Sequence, residues 1–150
     1  ISKYCDNMRC IDIGCGSLAL LSMKCYNAGA SMVYGIEINN DAFNDACKLI
    51  RKEGLNQDRI KLINKHCNDV TINDIDDVKC DVIVHEIIGE IGSSEGVLFS
   101  YKNVKNNLIN DRKKDHIISI PGYVKTYVSL VEFPDMKYWS SLEHKIIVPD

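Results

Sequence analysis

Short apolar runs alternate with longer amphipathic stretches along most of the chain. The short runs have the length and the apolar content of buried strands, and they cover Cys10–Ile13, Met32–Ile36, Arg59–Ile63, Val82–Val84 and His116–Ile120. The longer stretches have the periodicity of helices: Leu18–Asn27, Asp41–Glu53 and Gly96–Leu108. This alternation predicts an α/β protein with a doubly wound, mostly parallel sheet and helices on both faces.

Local residue choices indicate where some of these elements end. Asn40 stands before the second helix as a candidate N-cap, and Gly54 follows that helix as a candidate stop. After Pro121 the pattern changes. Residues 123–133 alternate β-branched and polar side chains like a strand, and Ile146–Val148 has the composition of a shorter strand.

The length of 150 residues fits one domain. We predict that residues 1–121 form this domain, and that residues 122–150 either complete its sheet or begin a truncated substrate region. The net charge of -3, with no dense basic stripe, argues against direct nucleic-acid binding. No apolar run reaches the roughly 18 residues of a membrane-spanning helix, so no membrane association is expected.

Seven cysteines are spread along the chain. Their number is odd and no pair has Cys-x-x-Cys spacing, so neither a metal site nor a disulfide framework is expected. Free cysteines behave as small apolar residues in a reducing compartment. The sequence therefore predicts an intracellular protein of the cytoplasm or nucleus, without a bound metal.

A glycine-containing segment joins the first predicted strand to the helix that follows. Gly14 and Gly16 let the backbone approach a ligand closely, and the start of the helix offers free N–H donors. Glu37 ends the second strand, at the position of an acid that accepts hydrogen bonds from two ribose hydroxyls. This order of elements, a strand, a glycine loop, a helix and a second strand that ends in an acid, predicts a cofactor that contains a nucleoside.

Two cofactor classes share this arrangement. Gly14-x-Gly16-x-x-Ala19 satisfies the dinucleotide fingerprint, which leaves a nicotinamide enzyme open. Asp12 favours the other class, because a carboxylate at this position repels a pyrophosphate but attracts the ammonium and sulfonium of S-adenosylmethionine. We therefore expect S-adenosylmethionine as the cofactor and S-adenosylhomocysteine as its product.

Two glutamates nine positions apart, Glu86 and Glu95, follow the fourth predicted strand. On a straight helix they would lie on opposite faces, but the intervening Gly89 and Gly92 permit a loop that brings them together. Two converging carboxylates repel each other unless a cation lies between them, and a planar guanidinium with five N–H donors fits that place. Glu90 is an alternative to Glu95 as the second carboxylate.

These motifs resemble the class I S-adenosylmethionine-dependent methyltransferases, and among them the protein arginine methyltransferases. The resemblance lies in Ile11–Ser17, in Val33–Glu37, and in Asp81–Glu86 with its nine-residue spacing to Glu95, which is similar to that family's double-glutamate loop. Ser119–Pro121 is similar to the point where the family's nucleotide-binding domain meets a β-barrel. The likeness extends over most of the chain and implies a Rossmann-like methyltransferase domain.

The resemblance implies a role for each candidate site residue. The residues expected around the methionine end and the ribose of the cofactor are Asp12, Gly14, Cys15 and Gly16. Glu37 would hold the ribose hydroxyls, while the backbone of Cys67 and the side chain of Asn68 would contact the adenine. Glu86 and Glu95 would bind the substrate guanidinium. The expected partner is a protein substrate with arginine, such as an Arg-Gly-rich segment.

The chain departs from the family pattern at three points. Leu18 stands where the family has a third glycine, and His85 replaces the serine that usually precedes the first loop glutamate. We expect His85 to be packed or to lie beside the cofactor rather than to carry a proton. The chain is also short, without the family's N-terminal helices, full barrel or dimerisation arm. We expect an isolated, monomeric cofactor-binding domain of a protein that is dimeric at full length. Two further hypotheses are a class I methyltransferase with another substrate and a non-catalytic module that binds S-adenosylmethionine.

Overall fold

The computed structural model describes residues 1–89, 91–92, 94–110 and 117–130. Five strands form one parallel sheet: β1 (Arg9–Ile13), β2 (Met32–Ile36), β3 (Ile60–Ile63), β4 (Val82–His85) and β5 (Ile118–Ile120). Their order across the sheet is β3-β2-β1-β4-β5. The chain therefore runs outward from β1 to β3 and then returns to the other side of β1. This reversal places a topological switch point between β1 and β4.

Helices cover both faces of the sheet. They are α1 (Ser2–Cys5), α2 (Leu20–Asn27), α3 (Asn40–Lys52) and α4 (Val97–Asn107), with short 3₁₀ helices at Cys67–Asp69 and Ile72–Ile75. Cys25 of α2 and Ile50 of α3 belong to the hydrophobic core on one face. Val104 of α4 and Ile75 belong to the core on the other face. The predicted doubly wound parallel sheet is confirmed.

The start of α2 and the N-cap of α3 differ from the sequence prediction. Helix α2 begins at Leu20 rather than Leu18, because Ala19 before it adopts a left-handed conformation with φ 42°. The N-cap of α3 is Asn39 rather than Asn40. The Oδ1 atom of Asn39 accepts hydrogen bonds from the backbone N–H groups of Asp41 and Ala42, at 2.9 and 3.0 Å. Asn39 and Asn40 have the same preference for the N-cap position. Only the path of the chain into the helix determines which of them becomes the N-cap.

The segment after β5 is not the predicted strand in the part that the structure describes. Residues 123–130 have no regular secondary structure, and Tyr127, Val128 and Leu130 are at least 84% exposed. An alternating pattern forms a strand only where a neighbouring strand pairs with it. The rest of that prediction (131–133) and the one at 146–148 lie outside the described residues, and the division at residue 121 stays a prediction.

No helix among the described residues has the length and apolar character needed to cross a bilayer.

Candidate functional site

The loop after β1 is fixed to the end of β2. The backbone N–H groups of Gly14 and Cys15 both donate to the carbonyl oxygen of Ile36, at 2.9 Å each. Gly14 and Gly16 have φ values of 72° and 66°, a left-handed conformation that favours glycine. A Cβ atom added to Gly16 would meet no atom of the described residues within 4 Å. The backbone at Gly16 therefore borders open space.

Glu37 is held in place at the carboxyl end of β2. Its Oε2 atom accepts a hydrogen bond from the backbone N–H of Gly16 at 2.9 Å, and its Oε1 atom accepts one from that of Asn39 at 2.8 Å. Its side chain is almost buried. A carboxylate has about four acceptor positions, so each oxygen keeps capacity for another donor, such as a ribose hydroxyl.

Asp12 is a fully buried carboxylate beneath this loop. Its Oδ2 atom accepts a hydrogen bond from Ser22 Oγ at 2.6 Å, while its buried Oδ1 atom has no hydrogen-bond partner among the residues that the structure describes. Burial raises the pKa of Asp12 to about 6, and the nearby negative charge of Glu37 adds a smaller increase. A buried carboxylate with an unused oxygen favours a nearby cation.

Ser22 was not among the residues predicted from the sequence. It lies on α2 with Cys25, three positions later, and these two are the buried residues of that helix. A small polar residue on the buried face of a short helix needs a hydrogen-bond partner. The position of Ser22 on the buried face of a predicted helix could have marked it as a hydrogen-bonding residue. The sequence does not show that its partner is Asp12.

A cavity of about 150 Å³ opens at the carboxyl ends of the central strands. Four residues predicted from the sequence line it: Gly14, Glu37, Cys67 and Glu95. Sequence reasoning missed other lining residues, among them Lys65, His66 and Ser100. The volume is below the roughly 300–1,000 Å³ of typical ligand pockets. A ligand the size of a nucleoside with an amino-acid tail must therefore extend beyond the cavity.

The other predicted residues lie around the cavity rather than in its lining. Asp12 and Cys15 are buried in the layer below, and Gly16 contributes its backbone N–H to Glu37. Asn68 is exposed, and its backbone N–H donates to Nδ1 of His66 at 3.1 Å. The structure thus brings the cofactor residues to one edge of the sheet, while their individual contacts with a cofactor stay predictions.

The glutamate loop turns back on itself between β4 and α4. A Cβ atom on Gly89 would overlap Ser94 Oγ and lie 3.2 Å from Cγ of Glu95, so a larger residue at this position would require the Ser94 side chain to move. Gly96 has φ 75° and starts α4. Glu86 and Glu95 are both exposed, and their convergence around a cation stays a prediction. Glu90 lies outside the described residues.

His85 ends β4 directly before this loop. It is 5% exposed, and its ring meets that of Tyr101 edge-on at a centroid distance of 6.3 Å. Burial lowers the pKa of His85, and the charge of Glu86 opposes this decrease. The prediction of a packed histidine is confirmed. A second cavity, of about 360 Å³, borders His85 and Tyr101 and is also lined by residues from α4 and from 119–126.

A family model described as ribosomal protein L11 methyltransferase (PrmA) matches residues 3–94 of the chain. Among curated proteins, protein arginine N-methyltransferase 7 of Gallus gallus is 34% identical over 134 residues, and that of Cricetulus longicaudatus is 33% identical over 150 residues. These alignments cover 88% and 93% of this chain but 19% and 21% of those relatives. The chain spans about a fifth of the length of the curated relatives it matches.

Solved structures show the same fold at lower sequence identity. Arabidopsis thaliana protein arginine methyltransferase 10 superposes with a TM-score of 0.65 at 22% identity, covering 73% of this chain and 30% of that one. The Trypanosoma brucei PRMT1 enzyme–prozyme heterotetrameric complex with AdoHcy gives a TM-score of 0.64 at 24% identity, covering 72% of this chain and 33% of that one. These similarities confirm the Rossmann-like methyltransferase fold.

Proposed function

The chain belongs to the PrmA family of class I methyltransferases and is related to the protein arginine methyltransferases, and from this premise we propose that it transfers a methyl group from S-adenosylmethionine to the guanidinium of a protein arginine. One observation carries the proposal. A single cavity unites three predicted cofactor residues, Gly14, Glu37 and Cys67, with Glu95 of the glutamate loop. A cofactor site and a cation-binding carboxylate at one edge of the sheet are what such a transfer requires.

The residues around the glycine loop fit this cofactor. Asp12 offers a cationic ligand a buried carboxylate oxygen that has no hydrogen-bond partner within residues 1–89, 91–92, 94–110 and 117–130. Glu37 keeps acceptor capacity on both of its oxygens. The open space at Gly16 leaves room for the ligand against the backbone. When bound, S-adenosylmethionine supplies an electrophilic methyl group on a sulfonium. Membership of a methyltransferase family favours this cofactor over the nicotinamide alternative.

Glu86 and Glu95 would act on the substrate by charge and position. A guanidinium keeps its proton up to a pH of about 12, and its nitrogens are poor nucleophiles when charged. Carboxylates on one side of the group draw its positive charge toward them and leave more electron density on the remaining nitrogen. Because both side chains are exposed, each would contribute only about 0–1 kcal/mol to holding the substrate while water has access. We therefore expect weak substrate binding and a larger effect on the transfer rate.

Donor binding and transfer test the proposal separately. Calorimetry with S-adenosylmethionine measures binding, and mass spectrometry measures methyl transfer to an Arg-Gly-rich peptide and to the same peptide with Lys in place of Arg. Glu86→Gln and Glu95→Gln should each lower transfer about 100-fold or more and leave donor affinity within about twofold. Glu53→Gln, at the exposed C-terminus of α3, is the control and should change neither.

Each outcome has a defined meaning. Transfer to the Arg peptide that is insensitive to Glu86→Gln would refute the role of the glutamate loop. Donor binding without transfer to any substrate would favour the non-catalytic module. No binding at millimolar donor would refute the cofactor assignment itself.

A second candidate substrate follows from the family model, whose description names ribosomal protein L11. Purified ribosomal protein L11 therefore belongs in the same assay. Methylation of that protein, with none on the Arg peptide, would replace arginine as the proposed acceptor and keep the cofactor assignment.

A further inference from the structure

Three cysteines from three different elements lie together in the core. Cys5 ends α1, Cys10 lies in β1 and Cys25 lies in α2. Their three Sγ atoms are all within 4.8 Å of one another, and those of Cys5 and Cys25 are 3.7 Å apart. The sequence analysis predicted no metal site, because the cysteines are odd in number and none of them has Cys-x-x-Cys spacing. The fold, not a local motif, assembles the cluster.

The surroundings of the three sulfurs are apolar and closed to solvent. Each of the three cysteines is 0% exposed, and the same core cluster contains Ala30 and Val33. All seven cysteines of the chain are free thiols, so no disulfide occupies these sulfurs. Among the described residues, the group of mutually close ligand atoms holds three sulfurs and no nitrogen or carboxylate oxygen. Such a site offers soft ligands.

The geometry fits an ion at the centre of the three sulfurs. With metal–sulfur bonds of about 2.3 Å, three sulfurs around one ion in a plane lie about 4.0 Å apart. The Sγ atoms of Cys5 and Cys25 are 3.7 Å apart and no pair among the three is more than 4.8 Å apart, which is compatible with that value. Zn²⁺ almost always completes a tetrahedron with a fourth ligand, which this group does not contain. Thiolate sulfur also selects Cu(I), a soft ion, over harder metals.

We propose that Cys5, Cys10 and Cys25 form a three-sulfur binding site for Cu(I). Each thiol that ligates the ion releases its proton to solvent, and no oxidation or reduction is involved. The bound ion would join α1, β1 and α2 to one another. Helix α2 also carries Ser22, which hydrogen-bonds to Asp12. The ion would therefore hold together the elements next to the glycine loop. Because it binds the folded chain, it would also stabilise the fold by mass action.

Metal titration of the whole chain tests this site. The reduced protein is titrated without oxygen with Cu(I), supplied as its acetonitrile complex, in competition with a chromogenic Cu(I) chelator. We expect one ion per chain and a loss of affinity of at least 100-fold in Cys10→Ser. Cys47→Ser, which removes a partly exposed thiol on α3, is the matched control and should bind as the natural sequence does. Unchanged affinity in Cys10→Ser would overturn the proposal.

A measurement that leaves the three cysteines intact covers the case in which Cys10→Ser does not fold. X-ray absorption of the Cys47→Ser chain carrying one equivalent of Cu(I) should show three sulfur ligands. Two or fewer sulfurs, or nitrogen or oxygen ligands, would refute the three-sulfur site. Zn²⁺ titrated in the same way should bind more weakly than Cu(I). Equal or tighter Zn²⁺ binding would overturn the assignment to Cu(I).

Discussion

Replacing Asp12 by Asn should stabilise the free domain at neutral pH and weaken its binding of the methyl donor. Asp12 is fully buried, and one of its carboxylate oxygens has no partner in the described part of the chain. Burial raises its pKa from 3.8 to about 6. The charged side chain is therefore unfavourable for folding, which is expected where a residue serves a ligand rather than stability.

The magnitude and its pH dependence follow from the pKa. Keeping Asp12 ionised at neutral pH costs about 3 kcal/mol relative to the unfolded chain, since one pKa unit corresponds to about 1.4 kcal/mol. Between about pH 4 and 6 the folded state binds a proton on Asp12 that the unfolded state has already released. This contribution therefore lowers stability as the pH rises through that interval. The amide side chain of the variant does not titrate, so the advantage of Asp12→Asn should be near its maximum above about pH 7 and disappear toward about pH 4.

Urea unfolding of both proteins at pH 4.5, 6 and 7.5 measures the difference. Contributions that do not depend on pH, such as a changed hydrogen bond to Ser22, shift all three values equally and cancel in the comparison. Asp58→Asn, an exposed site, is the control. A stability difference between Asp12→Asn and the natural sequence that is the same at pH 4.5 and 7.5 would refute the reasoning. Calorimetry at pH 7.5 should show at least tenfold weaker donor binding in the same variant.

Two substitutions test the packing around the site. In Gly35→Ala the new Cβ would lie 2.6 Å from Cδ2 of Leu62 and 2.8 Å from Oγ of Ser22, so we expect a loss of about 1–3 kcal/mol in urea unfolding and weaker donor binding; unchanged stability would contradict this packing. Asn39→Ala should cost about 1 kcal/mol by removing the α3 cap. Asn40→Ala, one position later, should cost less, and the opposite order would show that Asn40 is the cap.

Hydrophobic periodicity determined most of the fold. Alternating runs require alternating strands and helices, and the handedness of their connections then favours a parallel sheet covered on both faces. Where two local choices were equivalent, as for Asn39 and Asn40, sequence reasoning selected the wrong one. Residues 123–130 were also misassigned as a strand. Alternating apolar and polar side chains fit a strand, but they do not show whether a neighbouring strand is present to pair with it.

Some features of the candidate site also follow from the sequence, and others follow only from the tertiary structure. The sequence by itself determined the glycine loop, Glu37 and the glutamate spacing, since each follows from residue type and position within one strand–loop–helix unit. Only the tertiary structure decided which of these residues share a cavity, that Ser22 holds Asp12, and that Cys5, Cys10 and Cys25 meet. The physical reason is that such contacts join different elements across the sheet. Their distances depend on strand order and helix packing, which no local pattern of residues specifies.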